Sequence, residues 1–207
     1  MTGTELAGDN GSLNVAIIGH EGHGKTTLAT ALVGYSGLRG FSGYRFIELF
    51  DQEHKPVDIG DMTVAKQATS EDHYSHTSGY SEETSGFIRL MGQVDGAILV
   101  IAANEGVMPQ TKEHVRLARE VNLRGLVVFM NKMDIVDNEL GILDIVEMDI
   151  RDLLNEYEFP GDEIPIIRGS ALKAVEGPDD PENEVYKPLQ ELVNAMAVRF
   201  AGKRNGG

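Results

Sequence analysis

Lys25 and Thr26 end the run Gly19-His20-Glu21-Gly22-His23-Gly24-Lys25-Thr26. A glycine, four free positions and Gly-Lys-Thr is the spacing of a phosphate-binding loop. The chemistry requires those residue types. Glycines let the main chain turn tightly and bring its N–H groups against a polyphosphate. Lys25 is a mobile point charge able to reach the outer phosphates. The Thr26 hydroxyl is a hard oxygen donor suited to magnesium. Taken as a string alone, the run also reads as a glycine-rich turn with no ligand. Its surroundings decide. Residues 13–18 (LNVAII) read as a buried strand entering the loop, and residues 26–33 (TTLATALV) as a helix leaving it, adding the positive end of its dipole.

A second string, Asn131-Lys132-Met133-Asp134, directly follows the apolar run 126–130 (LVVFM). A carboxylate there can accept two hydrogen bonds from guanine N1–H and the exocyclic amine. Adenine offers no such donor pair, so the site would select guanine. On its own the string also fits a solvated turn with a helix-capping Asp. A third string, Gly169-Ser170-Ala171-Leu172-Lys173, follows a short strand at 164–167, where Ser170 and Ala171 could present backbone N–H groups to the guanine oxygen.

The elements that would position these strings alternate. Residues 97–102 (AILVIA) form a continuous apolar run, as in a strand covered on both faces. Residues 104–110 read as loop. Residues 111–123 read as a helix with His114, Leu117, Ala118 and Val121 on one side. Residues 140–157 are the clearest helix, with Leu143, Val146, Ile150, Leu153, Leu154 and Tyr157 in one stripe. A turn at 159–162 and a loop at 178–183 precede a last helix over 185–200, with Tyr186, Leu189, Leu192, Val193 and Met196 inward. Residues 35–50 and 51–62 lack a sustained period and read as loop, the first with room for a short helix. A strand opens at 63–67, and 81–94 reads as a helix with Phe87, Leu90, Met91 and Val94 on one face. Strands alternating with helices imply parallel pairing, and ligands in such sheets sit at the carboxyl ends of strands.

Composition narrows the function. The 207 residues carry a formal charge of −15, which repels phosphate backbones and argues against independent nucleic-acid binding. No cysteine is present, which excludes disulfides and thiolate metal sites. No apolar run approaches the roughly 18 residues of a membrane span. Residues 1–12 are polar and lack a signal-peptide core, so a soluble, cytoplasmic location is expected. The organisation expected is a flexible segment over 1–12, one domain over 13–200 and a tail over 201–207.

Beyond these strings the chain resembles the GTP-binding domain of bacterial elongation factor Tu, a translation-factor GTPase family. The resembling stretches are GHEGHGKTTL at 19–28, DGAILVIAANEGVMPQTKEHVRLAREV at 95–121, VVFMNKMDIVD at 127–137 and YEFPGDEIPIIRGSALKAVEG at 157–177. The resemblance implies a Ras-like P-loop fold with a six-stranded, mostly parallel sheet and helices on both faces, binding GTP or GDP with magnesium. By position, Gly19, His20, Glu21, Gly22, His23, Gly24, Lys25, Thr26 and Thr27 would hold the phosphates. Asn131, Lys132 and Asp134 would hold guanine, and Ser170, Ala171 and Leu172 would complete the base pocket. Thr26 would ligate magnesium, joined by the switch threonine Thr63. Read by itself, Thr63 is also an ordinary strand threonine.

The departures from the family concentrate around the reacting phosphate. Counted back from Asp95, the family's Asp-Cys-Pro-Gly-His falls on His76-Thr77-Ser78-Gly79-Tyr80. Gly79 keeps the backbone N–H that would sense the terminal phosphate. His76 replaces the aspartate that holds a magnesium-bound water, and an imidazole is a poor substitute beside a hard cation. Tyr80 replaces the histidine that positions the attacking water, a loss worth on the order of 3–5 kcal/mol in barrier. Glu21 and Gly22 replace Val and Asp, bringing negative charge near the site. Slow GTP hydrolysis, with Lys25 and Tyr80 as the catalytic candidates, is one expectation. A degenerate GTPase fold acting through a translation-machinery or other protein partner is the other. A full elongation factor delivering aminoacyl-tRNA is disfavoured by the acidic charge and by the family's two β-barrel domains not being in this sequence. A transition-metal site among His20, His23, His73 and His76 is disfavoured: the first two fall in the phosphate loop the family shares, and His73 and His76 have no evident cluster of carboxylate partners in the sequence.

Overall fold

The computed structural model describes residues 13–40, 44–48, 57–59, 62–66, 91, 94–123, 125–136 and 141–200. Seven strands form one sheet: β1 (Leu13–Ile18), β2 (Tyr44–Glu48), β3 (Val57–Ile59), β4 (Met62–Lys66), β5 (Gly96–Ala102), β6 (Leu126–Asn131) and β7 (Ile166–Arg168). Their order is β3-β4-β2-β1-β5-β6-β7. The helices are α1 (Lys25–Arg39), α2 (Pro109–Glu120), α3 (Ile142–Glu156), α4 (Ala171–Val175) and α5 (Lys187–Phe200).

Strands β1, β5, β6 and β7 run parallel as neighbours. Their carboxyl ends therefore meet along one edge of the sheet, and the loops that leave them are brought together there. Every residue of β5 and β6 is buried, as their apolar runs require, and the polar Asn131 at the end of β6 is buried with them. Alternation along the strands divides the core. Ala16, Ile18, Leu99, Ile101, Val128 and Met130 pack with Val115 and Ala118 of α2 and with Leu143, Val146, Ile150 and Leu154 of α3. Val15, Ile17, Ile98, Val100, Val127 and Phe129 pack with Leu28 and Leu32 of α1 and with Leu189, Leu192 and Met196 of α5. Period-two strands sandwiched by period-3.6 helices account for both clusters.

The sheet has seven strands where six are predicted. Two strands fall in segments read as loop, β2 within 35–50 and β3 within 51–62, and β3 pairs antiparallel with β4. Within 35–50, read as loop with room for a short helix, 35–39 are helical and 44–48 form a strand. Helix α1 runs on to Arg39 and Gly40 closes it in the left-handed region, and β2 then pairs in parallel with β1. Gly34 and Gly37 blur the helical period of α1, while Tyr35 and Ser36 are buried and extend its packed face. The last helix divides into a 3-10 turn (Glu184–Tyr186) and α5. Residues 169–173, read as loop, open the short α4, whose cap is Ser170: its Oγ accepts from Lys173 N–H at 3.2 Å. Of the predicted helix 81–94, Met91 and Val94 are described and both are buried. His73, His76, Gly79 and Tyr80 lie outside the described residues, as does the side chain of Thr63, whose backbone pairs with Asp58 between β4 and β3.

Candidate functional site

The loop between β1 and α1 takes its shape from glycines. Gly19, Gly22 and Gly24 have φ of 135°, 77° and 88°. At Gly19 a Cβ would stand 2.2 Å from Val100 O of the neighbouring strand, so only glycine lets the loop leave β1 this close to β5. At Gly24 a Cβ would stand 2.4 Å from Asn131 Nδ2. Lys25, on the first turn of α1, is buried. Its Nζ arches back over the loop and donates to Gly19 O at 3.1 Å and His20 O at 3.0 Å. Thr26 and Thr27 follow on the same turn, Thr26 exposed and Thr27 half-buried.

Helix α2 holds the loop from the other side. Gln110 Oε1 accepts from Glu21 N–H at 2.8 Å, and His114 Nδ1 accepts from Gly19 N–H at 3.1 Å. The two side chains lie four residues apart and so share one helix face. The bond to Gly19 requires an unprotonated Nδ1. Burial, helped by the nearby Lys25 charge, pushes the His114 pKa down to about 4 and keeps that nitrogen an acceptor.

His23 is wholly buried. Its Nδ1 lies 3.3 Å from Val100 O, and a carbonyl can only accept, so Nδ1 carries the proton. Burial lowers its pKa to about 4, outweighing the opposing pull of the Val100 carbonyl and Glu105. Among the described residues no group of three or more His, Asp or Glu is arranged to hold a metal.

The second string meets the first through Asn131. This buried side chain donates from Nδ2 to His23 O at 2.9 Å and accepts at Oδ1 from Ala171 N–H at 2.9 Å. One amide thus ties the phosphate loop, the end of β6 and the start of α4. The Ala171 N–H orients Asn131 in this structure. A buried Asn needs both partners, and Ala171 is within reach. Met133 N–H donates to Gly169 O at 3.2 Å and Gly169 N–H to Met130 O at 2.9 Å, which locks the third string against the second. Lys132 adopts φ 62° and donates from Nζ to Glu105 Oε1 at 3.0 Å. Asp134 is half-buried beside them, and Leu172 is 49% exposed on α4.

All three strings therefore converge at the carboxyl edge of β1, β6 and β7. Sequence reasoning missed the residues between them. Gln110, His114 and Glu105 come from the stretch after β5, where the residue types show no ligand-binding spacing. Their signal was only their place within a resembling segment.

A comparison with known families agrees. The family model described as Elongation factor Tu GTP binding domain matches residues 10–199. That span contains the phosphate loop, the Asn-Lys-Met-Asp string and the Ser-Ala-Leu string. No helix among the described residues is long and apolar enough to cross a membrane. With a glycine-shaped phosphate loop tied by Asn131 to the guanine-type strings, and with nearly the whole chain matched, this protein belongs to the family of elongation factor Tu GTP-binding domains.

Proposed function

We propose that the protein binds GTP and GDP with magnesium at the carboxyl edge of its sheet and hydrolyses GTP slowly. Residues 19–27 hold the phosphates, with Lys25 turning from the loop carbonyls to the phosphate charge. Asn131, Lys132 and Asp134 hold guanine, and Ser170, Ala171 and Leu172 close the base pocket. The observation that carries this reading is Asn131, which joins His23 O to Ala171 N–H and so unites the phosphate and base ends.

The residues present fit magnesium as a partner of bound phosphate. Thr26 offers a neutral hard oxygen on an exposed helix turn beside the loop, and no described carboxylate cluster holds a metal by itself. Such a site suits an ion that keeps waters and takes phosphate oxygens. Thr63 would complete it, and Gly79 would sense the terminal phosphate. Bound magnesium would neutralise charge developing on the phosphates. The chain's own share is the loop amides and Lys25, which stabilise that charge and hold the phosphate in line for water. Tyr80 would contact that water as a hydrogen-bonding phenol.

His76 and Tyr80 favour a second reading: a GTPase fold that holds nucleotide without turning it over and acts through a protein partner. Incubation with GTP and magnesium, desalting and chromatography of the retained nucleotide separates the two. Retained GDP supports hydrolysis, and retained GTP supports the binding module. Lys25→Met should lower retention about 100-fold in affinity. Equal retention by that variant would remove the phosphate loop from the site.

A further inference from the structure

Glu105 belongs to none of the three strings. It lies on the turn leaving β5, where Glu105 N–H and Gly106 N–H both return to Ala102 O, at 3.1 and 2.9 Å. Ala103 N–H donates to Asn131 O at 2.8 Å, so the turn is tied to the ends of both β5 and β6. The Glu105 carboxylate stands between two of the strings. Oε1 accepts from Lys132 Nζ at 3.0 Å. Oε2 lies 3.7 Å from His23 Nε2, a buried nitrogen with no hydrogen-bond partner among the described residues.

We propose that Glu105 is a positioning residue for nucleotide binding, whose carboxylate holds Lys132 against the phosphate loop before the ligand arrives. The inference rests on the nucleotide-binding reading above. A lysine stem is flexible, and ordering it on ligand binding lowers affinity. Lys132 already has its backbone fixed at φ 62°, and Glu105 fixes its far end. The Lys132 ammonium in turn holds the Glu105 carboxyl below the usual carboxylate range, so that carboxyl stays ionised near neutrality. The competing account is an ordinary half-exposed ion pair with no bearing on the ligand.

Five proteins separate these accounts: wild type, Glu105→Gln, Glu105→Ala, Lys132→Met and the Glu105→Gln/Lys132→Met double variant. The probe is GDP with magnesium, titrated to give Kd, alongside thermal melting without nucleotide. Glu105→Gln should weaken GDP binding roughly fivefold with an unchanged melting curve. In the Lys132→Met background the same change should alter Kd less than about twofold, because Glu105 acts through Lys132. Glu105→Ala should match Glu105→Gln. Wild-type affinity in Glu105→Gln, or an equal loss in the Lys132→Met background, overturns the inference and leaves nucleotide binding standing. A wild type that binds no GDP overturns both.

Discussion

The proposed phosphate end and the proposed base end of the site are built from different parts of the chain. The phosphate loop is shaped by main chain: Gly19, Gly22 and Gly24 at positive φ, and Lys25 bonded to two loop carbonyls. The base end is built from side chains anchored in other loops: Asn131 on His23 O and Ala171 N–H, and Lys132 on Glu105. A main-chain site fails when its backbone cannot be formed. A side-chain site fails one contact at a time. The difference predicts where damage falls on the fold and where on the ligand.

The largest effect should come from Gly19→Ala. The new Cβ meets the Val100 carbonyl, part of the rigid strand β5, in a backbone conformation that alanine avoids. The variant should lose about 4 kcal/mol, read as a shifted urea midpoint. A midpoint matching wild type would mean that the loop is not held against β5 as described.

Acid should act next, and on the phosphate end. In the unfolded chain His23 and His114 protonate near 6.5, whereas in the folded chain each does so at about 4. The unfolded chain therefore binds more protons between these values, and stability falls as pH drops from about 6.5 towards about 4. For wholly buried His23 the full loss is about 3 kcal/mol, with a smaller share from half-buried His114. Urea midpoints at pH 7 and pH 5 capture about 2 kcal/mol of the His23 loss, and His114→Gln should flatten the dependence. No change in wild type between those pH values would show that both imidazoles are accessible to protons.

Asn131→Ala tests the join. It leaves His23 O and Ala171 N–H without their partner and should cost about 2 kcal/mol of stability, together with weaker GDP binding. Loss of stability alone, with affinity intact, would make Asn131 a packing residue and uncouple the two ends.

Leu172→Ala should do least. Its side chain is 49% exposed, so stability should move by less than about 0.5 kcal/mol. GDP affinity should stay within about twofold if this turn serves the base through its main chain. A larger fall would assign the Leu172 side chain to the pocket.

The two ends also differed in how far they could be read beforehand. The glycine loop between β1 and α1 was legible because its requirement is local: glycines at fixed offsets, then lysine and threonine, between an apolar strand and a helix. Strands β5 and β6 were legible for the same reason, since a strand covered on both faces must be apolar throughout. Strands β2 and β3 were not, because each depends on pairing with a distant or adjoining strand rather than on its own period. Helix α4 is too short to show a helical period, and its Ser170 cap reads equally well as loop.

The sequence by itself determined the three strings proposed to meet phosphate and guanine, and that their order along the chain suits an elongation factor Tu-like GTP-binding domain. Tertiary structure alone decided what holds those residues in place. Gln110 and His114 reach Glu21 and Gly19 from α2, Glu105 reaches Lys132 from the turn after β5, and Asn131 spans two loops. The physical reason is range. A glycine's freedom to turn is encoded where it stands, whereas a buried polar atom must be satisfied by whatever the parallel sheet brings beside it.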